Sequence, residues 1–187
     1  MSSEAMVAAL EAVKTAAPDA KSVDERLDVL EKAMLASDAP PVELPVTHRF
    51  TPGLYAREIS MPAGTLLTSR IHKTEHPYVV ISGKAAVYIE GSGVEHVEAP
   101  HVGVTKPGTR RLLYILEDCR WITFHPLVGD EGEQGEADLD KIEARIIERR
   151  ELEDGKTAFE FYSAALKELG APPLLLSGDG EHHAGGD

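Results

Sequence analysis

Short segments in which apolar and polar residues alternate fill the middle of this chain, from Val42 to Pro126. Alternation with a period of two is typical of strands that bury one face. Glycine and proline interrupt these segments at close, regular spacing, which favours an antiparallel sandwich or jelly roll. Turns are predicted between the strands, among others at Gly83 and at Glu117-Asp118. The predicted strands span residues 55–60, 66–72, 77–82, 84–90, 95–99, 102–106, 110–116 and 120–125.

Helical spacing of apolar residues replaces this alternation on both sides of the segment. Ser22 and Glu25, three residues apart, form the capping-box pattern with which a helix begins. Gly170 is a natural end for the last helical stretch. The predicted helices span residues 4–17, 22–36, 138–151 and 156–169.

These changes of pattern divide the chain into five parts. The N-terminal part is expected to pack on the β domain, on a neighbouring subunit or on another partner. The last part contains His182 and His183, which we interpret as a flexible tail with at most adventitious metal binding. The five parts are a helical N-terminal arm (1–41), a β-barrel domain (42–127), an acidic linker (128–137), a C-terminal helical pair (138–170) and a flexible tail (171–187).

Charge and composition narrow the class of function. The 187 residues carry a formal net charge of −13, which argues against nucleic-acid binding because phosphate contacts need clustered Lys and Arg. No run of residues approaches the roughly 20 apolar positions of a membrane span, and no signal peptide is evident. The single cysteine, Cys119, excludes an internal disulfide and fits a reducing compartment. We therefore expect a cytoplasmic protein that binds neither nucleic acid nor membrane.

The stretch from Met61 to Gly83 carries the most informative side chains. It predicts a strand, a tight turn and a second strand, with His72 and His76 four residues apart. Alternate residues of a strand face the same side, so Arg70 and His72 share one face of the first strand. If that face lines the inside of a barrel, the two histidines approach each other in a cavity that suits a metal ion.

The same stretch resembles the first motif of the cupin superfamily, small jelly-roll barrels that often hold one metal ion. That motif contains two histidines, a glutamate and a closing glycine. With Gly83 as the closing glycine, His76 takes the place of the glutamate and His72 that of the second histidine. Arg70 takes the place of the first histidine. The resemblance implies a mainly β fold, a cupin-type antiparallel jelly-roll barrel with α-helical N- and C-terminal extensions.

The second cupin motif contains Pro-x-Gly-x-x-His, and Pro107-Gly108 resembles its turn. Counting from that glycine places Arg111 at the motif's histidine. Two of the four ligand positions implied by the resemblance are therefore arginines, which stay protonated and cannot bind a metal. Cupins often dimerise, so the resemblance also implies a homo-oligomer, most simply a dimer.

A narrower resemblance rests on several short segments of the β domain. The chain is similar to a group of small cupin-like proteins encoded in phages and prophages, a group with no settled activity. This resemblance implies a phage or bacterial origin and names no reaction. The segments are REI-x-x-PAG, I-HKTEH, KPGT-x-R, Y-x-LED and W-x-T-x-HP.

Two histidines rarely hold a transition metal, so a third ligand is expected. His125 is the first candidate, because it ends the last predicted strand and shares a face with Trp121 and Thr123. The expected cofactor is one divalent transition metal, Fe, Mn, Ni or Zn, bound by His72, His76 and His125. In the alternative interpretation, these histidines only line a polar barrel mouth. Further candidate ligands, in order, are His101, Glu75 and Glu58.

The arginines at motif positions predict a second kind of chemistry. Arg70 and Arg111 are both expected inside the barrel, where a guanidinium needs an anionic partner. Either Glu58 and a neighbouring carboxylate neutralise them, or the carboxylate or phosphate of a ligand does. In the second case these arginines bind a small anionic molecule, and Arg70, Arg111 and Glu58 are the candidate residues of that site.

Two hypotheses of function remain open at this point. In the first, the chain is a metal-dependent cupin enzyme, oxygenase-like by resemblance, which acts on a small anionic substrate. In the second, it is a non-catalytic module, either a ligand sensor or a phage-associated structural or assembly protein. The arginines then form internal salt bridges, and the helical parts mediate assembly.

Overall fold

The computed structural model describes residues 19, 22–35, 42, 44–89, 93–128, 135–148 and 175–176. The predicted helices 4–17 and 156–169, most of the acidic linker and nearly all of the tail lie outside these residues. The described elements are α1 (Val23–Leu35), β1 (Val46–Thr51), β2 (Leu54–Met61), β3 (Thr65–Thr68), β4 (His76–Ile89), β5 (Gly93–Glu98), β6 (His101–Thr105), β7 (Arg111–Pro126), a 3₁₀ turn (Glu136–Asp138), α2 (Leu139–Ile146) and β8 (Leu175–Leu176).

Two long central strands, β4 and β7, pair with each other and take part in two half-sheets. In the first half-sheet the order is β1, β2, the C-terminal half of β7, the N-terminal half of β4, and β6. In the second the order is β8, β3, the N-terminal half of β7, the C-terminal half of β4, and β5. All pairs are antiparallel except β3 with β8. The mainly antiparallel β architecture predicted from the sequence is confirmed.

The bend that separates the two half-sheets lies at Gly83 of β4 and Asp118 of β7. The register between the strands shifts on both sides of Gly83, as at a β-bulge. Gly83 has a φ of 80° and lies against the backbone of Asp118. The turns predicted at Gly83 and at Glu117-Asp118 are therefore wrong, because each predicted pair of strands is one long strand that bends. β1 is an addition to the predicted strands.

One apolar core joins the two half-sheets. The first contributes, among others, Tyr78, Val80 and Trp121, and the second contributes Val87 and Ile115. Because these buried side chains belong to one cluster, the half-sheets pack face to face as a jelly roll. Among the described residues, no pairing joins the outer strands of the two half-sheets, so the hydrogen-bonded sheet stays open at its edges.

Helix α1 is attached to the second half-sheet by charged and polar contacts. The predicted capping box is present: the Ser22 N–H donates to the Glu25 carboxylate at 3.1 Å, and the Glu25 N–H donates to the Ser22 hydroxyl at 3.1 Å. The guanidinium of Arg110, next to β7, binds Asp28 at 2.5 Å and Glu31 at 2.7 Å. Since the Arg110 side chain is only 5% exposed, these pairs lie in a largely water-excluded contact.

Helix α2 covers one end of the first half-sheet. Its residues Ile142 and Ile146 are fully buried in a second apolar cluster, together with Tyr55 of β2 and Leu127. Helix α2 thus packs at the end of the jelly roll where His125 and His72 lie.

No described helix combines the length and the apolar character that a membrane crossing requires.

Candidate metal centre

The first half-sheet places two of the predicted ligands on its interior face. Residues that pair across antiparallel strands have side chains on the same face. His125 of β7 pairs with buried Tyr55, so its side chain points inward. His76 lies two residues before Tyr78, which pairs with Thr123, so His76 also points inward, beside His125.

The third predicted ligand, His72, comes from the connection between β3 and β4. The predicted strand 66–72 ends at Thr68, so strand alternation does not place this side chain. Instead, His72 forms a bridge with Ile147 directly after α2, and the Lys73 N–H donates to the Ile146 carbonyl at 2.8 Å. The carbonyl of His72 accepts from the Gly108 N–H at 2.9 Å. The end of α2 and the turn before β7 therefore fix its backbone.

The three histidines converge on one point. One ring nitrogen from each of His72, His76 and His125 lies within 4.8 Å of the other two. The ring centroids are 4.2 Å apart for His72 and His76, 4.4 Å for His76 and His125, and 5.4 Å for His72 and His125. We refer to these residues as the histidine triad. Imidazole nitrogens in this arrangement suit Zn, Fe, Ni or Cu.

Hydrogen bonds orient two of the rings. Nδ1 of His76 lies 3.0 Å from the carbonyl of Thr74, which can only accept, so Nδ1–H donates and Nε2 keeps its lone pair. Nε2 of His125 lies 3.2 Å from the hydroxyl of Thr123, which donates its own proton to the Arg57 carbonyl at 3.5 Å. This assigns Nε2–H as the donor in His125, and its Nδ1 keeps a lone pair. Such neighbours are typical of metal-binding histidines.

Buried nitrogens of the histidine triad have no hydrogen-bond partner. Nδ1 of His72 and Nδ1 of His125 both lie out of contact with water, and neither bonds to another group of the chain. An unsatisfied buried polar atom is unfavourable by about 1–3 kcal/mol. A metal ion would satisfy both atoms, so the residues present fit a bound metal.

Burial also keeps the triad uncharged. Loss of hydration lowers the pKa of His72 to about 3, with a further contribution from His76 and His125. Burial lowers the pKa of His125 to about 3 as well, and it lowers the pKa of His76 despite the bond to the Thr74 carbonyl. The three imidazoles are therefore neutral at physiological pH, which is the form that binds metals.

Arg111, predicted as a substrate-binding residue, lies beside the triad. Its side chain is buried, and Nη2 donates to the Thr105 hydroxyl at 3.1 Å. Thr105 pairs with His76 across β6 and β4, which brings the guanidinium next to that histidine. The guanidinium also lies over the ring of Tyr78, 5.6 Å from its centroid. Within the described chain, Arg111 has no carboxylate partner.

The other predicted site residues lie apart from the triad. Arg70 pairs with Glu143 of α2 at 3.4 Å. Glu58 points to the opposite face of β2 from Tyr55, where it binds Arg49 at 2.7 Å and also binds Arg120. Glu58 therefore neutralises neither Arg70 nor Arg111. Of the remaining candidate ligands, Glu75 is exposed, and Nε2 of His101 lies 3.3 Å from the hydroxyl of Tyr78.

Arg57 is a residue that the sequence did not single out. It pairs with Thr123, so its side chain lies on the interior face with Tyr55 and His125. The sequence does show that Arg57 lies two residues after Tyr55, so the two share a face of β2. It does not show which face of β2 lies inside. In a strand, a shift of one residue exchanges the faces, so the predicted site residue Glu58, next to Arg57, lies on the opposite face of β2.

Similarity to known proteins is limited to solved structures. No family model matches the chain, and no curated protein matches it. Among solved structures, it is similar to an RmlC-like cupin family protein with a double-stranded β-helix fold from Methanocaldococcus jannaschii (10% identity, 45% of this chain and 80% of that chain, TM-score 0.39). It is also similar to an uncharacterised protein with a double-stranded β-helix domain from Klebsiella pneumoniae (18%, 49% and 79%, 0.39) and to KdgF from Halomonas (20%, 51% and 90%, 0.40).

The identities are 20% or lower and the TM-scores are 0.40 or lower, so the description of the fold rests on the strand pairings of this chain. Each match covers about half of the present chain. The strand pairings themselves describe a jelly roll with two half-sheets and one shared core. The chain has a jelly-roll fold in which three histidines converge at one end of the interior.

Proposed function

We propose that the chain binds one divalent transition metal ion through His72, His76 and His125. The observation that carries this proposal is the convergence of three neutral imidazoles whose ligand atoms lie within 4.8 Å of one another. The unpartnered Nδ1 atoms of His72 and His125 support it, because a structural role would leave them unsatisfied.

Three protein ligands leave coordination positions open for a small molecule. A bound ion supplies Lewis acidity, which polarises an oxygen of that molecule. The residues that select the ligand belong to the chain itself. The guanidinium of Arg111, buried and without a carboxylate partner in the described chain, is placed to hold an anionic group next to the triad. We therefore propose a small anionic ligand.

Two roles for such a site remain predictions from the sequence. An oxygenase-like enzyme would convert the anionic ligand, whereas a sensor or assembly module would only bind it. The first role is favoured by the coordination positions that three protein ligands would leave open on a bound ion. Self-association as a dimer, cytoplasmic location and a phage or prophage origin also stay predictions.

Metal content tests the proposal directly. The starting protein carries His182→Ala and His183→Ala, so that adjacent histidines in the tail sequence add no metal. The protein is incubated with Fe(II), Mn(II), Ni(II) or Zn(II), desalted and measured by elemental analysis. We expect about one ion per chain for at least one metal, and loss of that ion in His125→Ala.

The matched control for this experiment is His96→Ala. His96 is an exposed histidine of β5, outside the triad, and its removal should leave the metal content unchanged. Circular dichroism checks that each variant keeps the fold. A protein that stays metal-free with all four metals would contradict the proposal, and so would a metal content that is the same in His125→Ala and His96→Ala.

A further inference from the structure

Two interior arginines differ from the other described arginines around the sheet. The guanidiniums of Arg49, Arg120, Arg70 and Arg110 all bind carboxylates of this chain. Arg57 and Arg111 bind none within the described residues, although the chain carries 32 acidic and 19 basic residues. Carboxylates are thus abundant, yet none of those that the structure describes is placed against the two guanidiniums on the interior face.

Arg111 approaches the histidine triad from the side of His76. Its bond to Thr105 places the guanidinium beside the cross-strand neighbour of that histidine. Stacking on the Tyr78 ring holds the plane of the guanidinium in one orientation. The charge of Arg111 acts on His76 and His72.

Arg57 approaches from the other side. Its strand partner Thr123 lies two residues before His125, and its neighbour on the same face of β2 is Tyr55, the partner of His125. The charge of Arg57 acts on His125 and His72. The triad therefore lies between two guanidiniums that belong to different strands and reach it across different histidines.

Leaving a buried cation without a counter-ion is unfavourable, and burial lowers the pKa of Arg111 as a consequence. Arg57 is half-buried, and a chain that places it and the buried Arg111 around one centre gains most from a ligand with two separate anionic groups. Planar guanidinium forks match carboxylates in a bidentate manner. One carboxylate on each side of the triad would compensate both charges at once.

We propose that the site selects small dicarboxylates, with one carboxylate bound by Arg111 and the other by Arg57 across the histidine triad. The proposal rests on the proposed function, because it places the ligand at the metal centre. It goes further in assigning a role to Arg57 and in naming the feature that sets specificity, the presence of two carboxylates.

Calorimetric titration of the metal-loaded protein with succinate, glutarate, butyrate and inorganic phosphate tests this proposal. Succinate or glutarate should bind at least about 10-fold more tightly than butyrate, since each added charge-assisted contact is worth roughly that factor or more. Arg57→Met and Arg111→Met should each remove this preference while the metal content stays at one ion per chain. Arg120→Met, which leaves Glu58 paired with Arg49, is the matched control and should keep the preference.

Thermal stability separates a ligand-binding role from a structural one. Removing an uncompensated buried charge should not lower the melting temperature of Arg111→Met, whereas loss of a structural contact would lower it. Equal affinity for succinate and butyrate in a metal-loaded protein would overturn the dicarboxylate proposal and leave the metal site standing. Phosphate bound more tightly than either dicarboxylate would also overturn it. A protein without metal would instead overturn the proposed function.

Discussion

Replacing Gly83 by alanine tests whether the bend between the half-sheets depends on this residue. An added Cβ would lie 2.1 Å from the carbonyl oxygen of Asp118, 2.6 Å from its carbonyl carbon and 2.7 Å from the Cα of Cys119. All three atoms belong to the backbone of β7, so they cannot rotate away as a side chain would. The substitution should therefore push apart the two central strands at the place where both change half-sheet.

Gly53 provides the matched control, because it shares the positive φ but not the close approach. Its φ is 79°, against 80° for Gly83, and no atom lies within 4 Å of its added Cβ. Gly53→Ala should be destabilising by about 1–2 kcal/mol, the cost of a left-handed conformation for a residue with a side chain. Gly83→Ala should be destabilising by about 1–3 kcal/mol more, because overlap in a packed interior adds to that cost.

Urea unfolding followed by circular dichroism measures both free energies of unfolding. The difference between the two variants isolates the overlap with Asp118, since the conformational term is common to both. A difference below about 0.5 kcal/mol would refute the reasoning, because independent measurements agree only to about that margin. It would mean that β7 moves away from Gly83 at little cost.

Three further predictions concern the site and its supports. In metal-free protein, His125 is neutral when folded, with a pKa of about 3, but takes up a proton near its ordinary value of 6.5 when unfolded. Its contribution to stability is therefore lost as pH falls from about 6.5 toward 3, by up to about 1.4 kcal/mol per pH unit, and His125→Gln should flatten this dependence in urea unfolding between pH 7 and 5. If the free energy of unfolding changed with pH in the same way in the starting protein and in His125→Gln, this prediction would be contradicted. Ile146→Ala should be destabilising by about 2–5 kcal/mol and should also weaken metal binding, since the end of α2 holds the backbone of His72; unchanged metal affinity in titrations of the folded variant would show that α2 does not position that ligand. Arg110→Ala should be destabilising by about 2 kcal/mol and expose α1 to limited proteolysis, whereas Lys84→Ala, which removes an exposed pair, should change little. Equal effects of these two variants would contradict the buried character of the Arg110 contacts.

Strands such as β6 and the first half of β4 were predictable because residues of greater and lesser burial alternate along them. Alternation locates these strands whatever their partners are. It does not distinguish a turn from a bend, and Gly83 is compatible with both. The structure resolves this through the long pairing of β4 with β7, a contact between residues distant in sequence. β1 was not predicted because one of its inward-facing positions is His48, a polar residue that apolar–polar alternation does not mark as inward-facing.

The sequence predicts the three histidines of the triad as metal ligands from their type and spacing. It does not predict how their side chains are arranged in space. His125 and His76 point inward through strand alternation, which the sequence carries. His72 is placed by the end of α2, which lies more than 70 residues later in the chain. Arg57 was missed for a related reason, since only the pairing of β2 with β7 defines which side of β2 faces the centre.

X-ray absorption spectroscopy of the Zn(II)-loaded protein, with the tail histidines replaced, tests the central claim most directly. Our account predicts a first shell that includes three imidazole nitrogens at about 2.0–2.1 Å, and a smaller imidazole contribution in His125→Ala. A first shell of oxygen ligands alone would contradict the histidine centre. A spectrum that His125→Ala does not change would contradict it as well.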